Sequence, residues 1–218
     1  TSSNAVQVVE SYPADRTILF VPDRNLARYA AERSGRPYLT TSELARSDAP
    51  IPTGAIVAWD GYCYVHDDLV LDELAQARAN YPEAKVVIHP EARQELLDQA
   101  DFITSTSRMV QIAEDHDALI IGTERGLIDR LKQRFPEKTL IPLSGAAICG
   151  NMKMNTLAKL AWSLDHLQYE VVLDEEVRRK AESALRAMLE LSGGWRPANA
   201  EEEALELAGV RPRGCGCG

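Results

Sequence analysis

The chain has 218 residues, a formal net charge of −9, and a composition that is 45% hydrophobic and 26% charged, as expected for a globular protein that can bury a core. The acidic balance argues against broad nucleic-acid binding, which needs a basic face, and no apolar stretch approaches the roughly 20 residues that cross a bilayer. Four cysteines at uneven spacing do not resemble a secreted disulfide framework, so the sequence predicts a cytoplasmic protein with no nucleic-acid or membrane partner.

The predicted elements alternate between short strands and helices along the chain. A helix is predicted to begin in the apolar run after Asn4, and the other helices are expected at 25–33, 68–80, 91–99, 109–114, 126–135, 155–167, 174–191 and 201–207. Strands are predicted at 17–21, 55–59, 85–88, 102–103, 118–122 and 139–142. Short apolar strands that alternate with helices indicate α/β layers around a mostly parallel sheet.

Residues whose side chains can take part in catalysis or ligand binding follow several of these strands directly. They are Asp23, Cys63, His89, Pro90, Glu91, Ser105, Thr106, Thr123 and Glu124. Open α/β sheets bind ligands at the carboxyl ends of their strands. The shared placement therefore predicts one common site.

Cys63 and Cys149 have two possible roles. Free cysteine is often a small buried core residue, but Gly61 and Gly150 lie close by and indicate loops, which favours ligands. Neither cysteine forms a C-x-x-C pair, so the spacing of zinc fingers and ferredoxins is absent. A C-x-C pair in the glycine-rich tail, Cys215 and Cys217, is predicted to be exposed and outside the site.

The polar residues at strand ends also have structural alternatives. Glu91 can complement a helix dipole or form a proton-transfer pair with His89. Ser2 and the Ser105-Thr106 pair can cap helices or bind phosphate or carboxylate groups. His66 precedes two aspartates and is predicted to lie on the surface at the start of a helix.

Seven segments, taken in order, resemble quinolinate synthase, the iron–sulfur enzyme of NAD biosynthesis. No dinucleotide-binding, P-loop or nucleophile-elbow motif competes with this resemblance, which extends from Thr1 to about Leu173. The matching segments are residues 1–5, 22–26, 61–66, 89–91, 100–101 with 105–106, 122–124, and 149 with 152–157.

The resemblance implies an architecture of repeated three-layer α/β/α domains with parallel sheets around a pseudo-threefold axis. This chain would hold two of the three domains. The second domain would occupy residues 1–64 and the third residues 65–145, followed by a cluster-ligand loop with helices at 146–192 and a tail at 193–218. The first domain, with one cysteine ligand, would be missing, so the chain alone is expected to be inactive.

The resemblance also implies a 4Fe–4S cluster held by Cys63 and Cys149, with one open iron that acts as a Lewis acid. The implied reaction condenses iminoaspartate with dihydroxyacetone phosphate to quinolinate and releases phosphate and water. An aspartate oxidase or dehydrogenase would supply the iminoaspartate. Glu91 would be the acid/base residue, and His89 would orient or protonate the substrate. The substrate-binding residues would be Ser2, His89, Pro90, Glu91, Ser105 and Thr106.

Two other classes of protein stay open. One is a non-catalytic module that binds zinc through Cys63, His66, His89 and Cys149. The other is a metal-free α/β module that binds a small anion and buries its cysteines.

Overall fold

A computed structural model describes residues 1–193, which form two parallel sheets flanked by helices. The strands are β1 (Ile18–Phe20), β2 (Tyr38–Thr40), β3 (Ile56–Ala58), β4 (Lys85–Ile88), β5 (Phe102–Ile103), β6 (Ala118–Gly122) and β7 (Thr139–Pro142). The helices are α1 (Ala5–Glu10), α2 (Arg24–Ser34), α3 (Thr41–Ala45), α4 (Tyr64–Asp67), α5 (Leu71–Asn80), α6 (Gln94–Leu97), α7 (Thr106–Asp115), α8 (Arg125–Arg134), α9 (Gly150–Lys153), α10 (Leu157–His166) and α11 (Glu175–Leu191).

The first sheet has the strand order β1-β3-β2, and both pairings are parallel. Ile56 at its centre is opposite both Ile18 and Tyr38 and is fully buried. Helix α2 packs on this sheet through small residues that allow a close approach, and it ends at Gly35, whose left-handed conformation stops the helix as expected for glycine. The small buried residues are Ala27, Ala30 and Ala31.

The second sheet has the order β5-β4-β6-β7 and is also entirely parallel. The central strands β4 and β6 are continuous apolar runs, because helices cover both faces of the sheet. Val86 and Ile88 pack in one hydrophobic core, whereas Val87 packs in another. The predicted α/β class with parallel sheets is confirmed.

Two predicted helices differ from the structure. The helix expected at 68–80 begins only at Leu71, as α5, because Leu69 turns into the core and is almost fully buried, and the separate turn α4 ends before it at Asp67. The helix expected at 91–99 is reduced to the single turn of α6, which begins after the extended residue Arg93.

The described chain separates into two compact units, one from Thr1 to Glu170 and one that begins at Val171. The second unit contains α11, whose start is capped by the Asp174 carboxylate through the N–H groups of Glu176 and Val177. No helix among residues 1–193 is both long and apolar enough to span a membrane. The helix predicted at 201–207 and the cysteine pair of the tail lie outside the described residues, and the domain boundaries stay a prediction.

Candidate active site

Cys63 lies in the turn that follows β3, at the position that precedes the first residue of α4. Its side chain is half-buried. The Cys63 N–H donates to Asp23 Oδ2 at 2.8 Å, which joins this turn to the turn after β1. The thiol is therefore presented at the carboxyl ends of the first sheet's strands, as its position in the sequence predicts.

His66 is buried, and the prediction that it lies on the surface is wrong. Only 7% of the residue is exposed. Its Nδ1 lies 3.0 Å from Glu91 Oε2, and its Nε2 lies 2.9 Å from Thr123 Oγ1. The single turn of α4 directs Val65 and His66 inward, so that Asp68 is exposed while the imidazole reaches Thr123, which follows β6.

His89 follows β4 and is also buried, with 5% of the residue exposed. Its ring stacks on that of His66, with centroids 4.2 Å apart and an interplanar angle of 15°. The His89 Nε2 lies 3.2 Å from Ser2 Oγ, and its Nδ1 lies 3.8 Å from Glu91 Oε2. The structure thus brings together Ser2, His89 and Glu91, as predicted.

The neighbours of His66 favour its charged form. Burial by itself lowers the pKa of His66, but hydrogen bonds with Cys63 and with Glu91 raise the pKa to about 9. The hydrogen bond with His66 in turn lowers the pKa of the Cys63 thiol. Burial raises the pKa of Glu91, but the hydrogen bond from His66 and the charges of both histidines outweigh it and lower the pKa.

His89 has the opposite protonation preference. Burial and the neighbouring positive charge of His66 lower its pKa to about 4, although Glu91 acts against them. At neutral pH this group of side chains therefore contains a protonated His66, a neutral His89 and an ionised Glu91. Titratable groups whose surroundings separate their pKa values in this way can act as a proton donor and a proton acceptor in one site.

The Cys149 loop lies beside the Cys63 loop. Cys149 precedes the first residue of α9 and is half-buried. The Tyr64 hydroxyl accepts the Gly150 N–H at 2.8 Å and donates to the Ile148 carbonyl at 3.4 Å. The residue after Cys63 therefore contacts the backbone on both sides of Cys149, so the structure brings the two predicted cysteine ligands to one region.

The other predicted substrate residues differ in position. Ser2, Pro90 and Ser105 line a cavity of about 620 Å³. Ser105 is buried and its hydroxyl lies 3.2 Å from that of Ser107. Thr106 is exposed in the first turn of α7, and among residues 1–193 no hydrogen bond joins its side chain to the histidines.

One compact group of potential metal ligands is present in the described chain. The ligand atoms of Cys63, His66 and Glu91 all lie within 4.8 Å of one another. This trio shares two residues with the predicted zinc set. Both ring nitrogens of His66 already contact protein oxygens, so a metal bound there would displace one of these contacts.

The two cysteines fit the thiolate ligands of an iron–sulfur cluster. Both lie in turns at strand ends, both are half-buried, and their loops are joined through Tyr64. Cys149 Sγ also accepts a long contact from the Met152 N–H at 3.5 Å, and hydrogen bonds to sulfur are among the features that tune such clusters.

Comparison with known proteins places this arrangement in a family. Residues 1–190 match the family described as NadA, quinolinate synthetase A protein. The chain belongs to this family. The resemblance seen in the ordered motifs is therefore confirmed.

Named relatives support the assignment over most of the chain. The quinolinate synthase of Dehalococcoides mccartyi (strain CBDB1) is 41% identical over 191 residues, which cover 87% of this chain and 57% of the relative. That of Methanocaldococcus jannaschii is 42% identical over 197 residues, covering 88% of this chain and 59% of the relative. That of Desulforudis audaxviator is 39% identical over 193 residues, covering 88% and 58%. The chain thus spans less than two thirds of the length of these relatives.

Four residues make contacts in the site that the sequence did not predict: His66, Thr123, Tyr64 and Glu124. The spacing of Cys63 and His66 contains a usable signal, since residues three apart share a helix face. Thr123 was placed at a strand end, but nothing near it in sequence shows that its hydroxyl contacts His66. Tyr64 gave no signal of its contact with the Cys149 loop, which is distant in sequence. Glu124 was also placed at a strand end, without the role that the structure gives it as an acceptor of the Cys149 N–H.

Proposed function

We propose that this chain is part of a quinolinate synthase that condenses iminoaspartate with dihydroxyacetone phosphate to quinolinate, with release of phosphate and water. The observation that carries the proposal is the group formed by the buried His66 and His89 and the partly buried Glu91, which lies beside Cys63. Membership of the quinolinate synthase family supports the choice of reaction.

Cys63 and Cys149 would hold a 4Fe–4S cluster together with a third ligand supplied from outside this chain. When bound, the cluster supplies an open iron that polarises a substrate oxygen as a Lewis acid. Tyr64 fixes the distance between the two ligand loops through its contacts around Cys149.

Glu91 is the proposed acid/base residue. Its carboxylate accepts from His66 Nδ1 at 3.0 Å, so it has a fixed orientation and an adjacent proton donor. A positioned carboxylate of this kind can take a proton in tautomerisation and return it in dehydration. The Asn25 amide also donates to the Glu91 carbonyl at 3.0 Å, which holds the backbone at this position.

His89 and the serine hydroxyls are proposed to orient the substrate. A neutral His89 can either donate or accept at Nε2, and this atom faces the Ser2 hydroxyl. Ser2 and Ser105 line the same cavity as Pro90, where hydroxyl donors can hold carboxylate or phosphate oxygens. Thr106, which is exposed, is proposed to contact the substrate only when the substrate binds.

The proposed setting is a cytoplasmic pathway of NAD biosynthesis. Iminoaspartate would come from an aspartate oxidase or dehydrogenase, because these reactions oxidise the amine of aspartate to an imine. The proposed cluster favours a reducing compartment, and so does the Cys63 thiol, because a hydrogen bond with His66 lowers its pKa and makes it more readily oxidised.

The direct experiment is an anaerobic assay of the protein expressed from its natural start codon. Iminoaspartate is generated during the assay from oxaloacetate and ammonia, and quinolinate is measured with and without dihydroxyacetone phosphate. Quinolinate that requires both substrates supports the proposal. A protein that contains iron yet forms no quinolinate contradicts it.

A second candidate is a non-catalytic zinc site formed by Cys63, His66 and Glu91. The short distances among their ligand atoms favour it. Stoichiometric zinc in protein purified without added metal, lost on His66→Gln, supports this alternative. Iron with sulfide in its place excludes it.

A further inference from the structure

The loops of the two cysteines are held in the same way at two different strand ends. At the first, Asp23 follows β1 and uses both carboxylate oxygens. Its Oδ1 accepts the Leu26 N–H at 2.7 Å and so caps α2, and its Oδ2 accepts the Cys63 N–H at 2.8 Å. One side chain therefore joins the start of a helix to a cysteine loop.

Glu124 repeats this arrangement after β6. Its Oε2 accepts the Gly126 N–H at 2.7 Å near the start of α8, and its Oε1 accepts the Cys149 N–H at 3.3 Å. Lys153 also contacts Glu124 Oε1, at 3.1 Å. The second cysteine loop is thus held by a carboxylate in the equivalent position.

The residue after each carboxylate makes a second matching bond. The Arg24 N–H donates to the Gly61 carbonyl at 2.8 Å, and the Arg125 N–H donates to the Ala147 carbonyl at 2.8 Å. Both carbonyls belong to the residue two positions before the cysteine. Each cysteine loop is therefore fixed at two points by an acidic residue and the arginine that follows it.

Helix capping alone does not require a carboxylate with two acceptor oxygens. A single side-chain oxygen is sufficient for a cap, as Thr40 shows where its hydroxyl accepts the Glu43 N–H before α3. Asp23 and Glu124 are only 4% and 8% exposed, and burying a carboxylate is costly unless its oxygens are hydrogen-bonded. Asparagine or glutamine has a single acceptor oxygen, which cannot occupy the positions of both carboxylate oxygens, and its NH2 group would face the other N–H.

We propose that Asp23 and Glu124 are a matched pair of positioning residues that hold Cys63 and Cys149 as ligands of the iron–sulfur cluster. The inference rests on the proposed function, in which these thiolates bind the cluster. Each carboxylate accepts the cysteine N–H and places a negative charge beside the ligand loop, and at Glu124 this charge is paired with Lys153. Negative charge near a bound cluster lowers its reduction potential, and loss of the Glu124 charge would also leave the Lys153 ammonium without this partner.

The test uses the anaerobically purified protein expressed from its natural start codon, with the variants Asp23→Asn and Glu124→Gln. Iron release to a chelator is expected to be about 10- to 100-fold faster in each variant, which is the usual effect of losing a group that orients a metal ligand. The reduction potential, measured by redox titration followed by electron paramagnetic resonance, is expected to become less negative. Asp23→Glu keeps two acceptor oxygens and is expected to lie closer to the unmodified protein.

Two control variants separate positioning from charge and from stability. Asp60→Asn removes a carboxylate three residues before Cys63 that contacts Thr41 and Ser42. Thr40→Ala removes the helix cap of α3. Both are expected to leave iron release and potential near those of the unmodified protein.

Three outcomes would overturn the inference. Unchanged iron release and potential in Asp23→Asn and Glu124→Gln would show that the carboxylates do not position the ligands. Equal changes in the two controls would show that charge or stability alone is responsible. Absence of an iron–sulfur cluster from the unmodified protein would contradict the proposed function itself, and this result can be told apart from the first two.

Discussion

His66 and His89 stack on one another, yet their surroundings give them different protonation states. His66 lies between the Cys63 thiol and the Glu91 carboxylate, which raise its pKa to about 9. His89 is buried beside that positive charge, and its pKa falls to about 4. The pair therefore keeps Glu91 ionised and leaves one neutral imidazole facing Ser2.

Replacement of Glu91 tests the proposed acid/base role. Glu91→Gln keeps the size of the side chain but removes its ability to accept a proton. We expect quinolinate formation to fall by about 10²- to 10⁴-fold, with iron content unchanged. The assay measures quinolinate and iron on the same sample.

The matched control is Glu95→Gln, four residues later. Glu95 is exposed and pairs with Arg93 at 3.3 Å, so its replacement is expected to leave turnover unchanged. Turnover of Glu91→Gln equal to that of this control would contradict the role of Glu91.

The site was predictable where its residues directly follow strands, and not where contacts cross between segments. Cys63, His89 and Glu91 each lie at or just after a strand end, which an apolar run in the sequence marks. The burial of His66 was missed because the adjacent aspartates indicated a solvent-facing helix start. Thr123 was placed at a strand end, but nothing local shows that its hydroxyl contacts His66.

At the scale of elements, Asp101 joins the starts of β4 and β5. Its Oδ2 accepts the Val86 N–H at 2.8 Å, and its Oδ1 lies 3.1 Å from Lys85 Nζ. Partial burial by itself raises the pKa of Asp101, but the Val86 N–H and the Lys85 charge hold the pKa below its usual value. The carboxylate therefore stabilises the fold above the pKa of the unfolded chain, about 3.9, and this contribution is lost as the pH falls through the folded pKa.

Asp101→Asn tests this contribution. We expect a loss of up to about 1 kcal/mol in the free energy of unfolding at pH 7, since the group is partly exposed. The difference from the unmodified protein is expected to shrink below about pH 4. Urea unfolding at several pH values measures both. Asp98→Asn, which changes an exposed carboxylate bonded to Gln94, is the control, and a difference that does not depend on pH would contradict the assignment.

Tyr64 connects α4 to the loop before α9, and its hydroxyl can be removed without loss of the ring. In iron-free protein, Tyr64→Phe is expected to increase alkylation of the Cys149 thiol several-fold, because the Gly150 N–H loses its acceptor. Mass spectrometry of the labelled peptides measures the rate at each cysteine.

The control for this change is Tyr62→Phe. The Tyr62 ring lies under the Arg24 guanidinium at 4.3 Å, and within the described chain its hydroxyl makes no hydrogen bond to the Cys149 loop. Equal labelling rates in Tyr64→Phe, Tyr62→Phe and the unmodified protein would show that the Tyr64 hydroxyl does not hold this loop.

The predictability of the strands follows how apolar their sequences are. Strands β4 to β7 match their predicted ranges, and the central strands β4 and β6 are long apolar runs because they are buried within a parallel sheet. Strand β2 was not predicted, because Tyr38–Thr40 contains a single aliphatic residue and so shows no apolar run. Helix α6 is shorter than predicted because local apolar spacing does not define where a turn of helix ends.

At the scale of the whole molecule, the proposed function assigns two of the three cluster thiolates, Cys63 and Cys149, to this chain. It covers 57% to 59% of the length of the named relatives. We therefore expect the isolated 218 residues to form no quinolinate under conditions in which the protein expressed from its natural start codon is active. Turnover by the isolated chain would contradict the assignment of the third ligand to another segment.

The most direct test of the account is the content of iron and acid-labile sulfide in the anaerobically purified protein expressed from its natural start codon. We predict about four of each per chain, with loss of both in Cys63→Ser and in Cys149→Ser and retention in Cys215→Ser. Absence of iron, stoichiometric zinc, or a cluster that survives either ligand replacement would contradict the central claim that Cys63 and Cys149 hold an iron–sulfur cluster beside the His66–Glu91 pair.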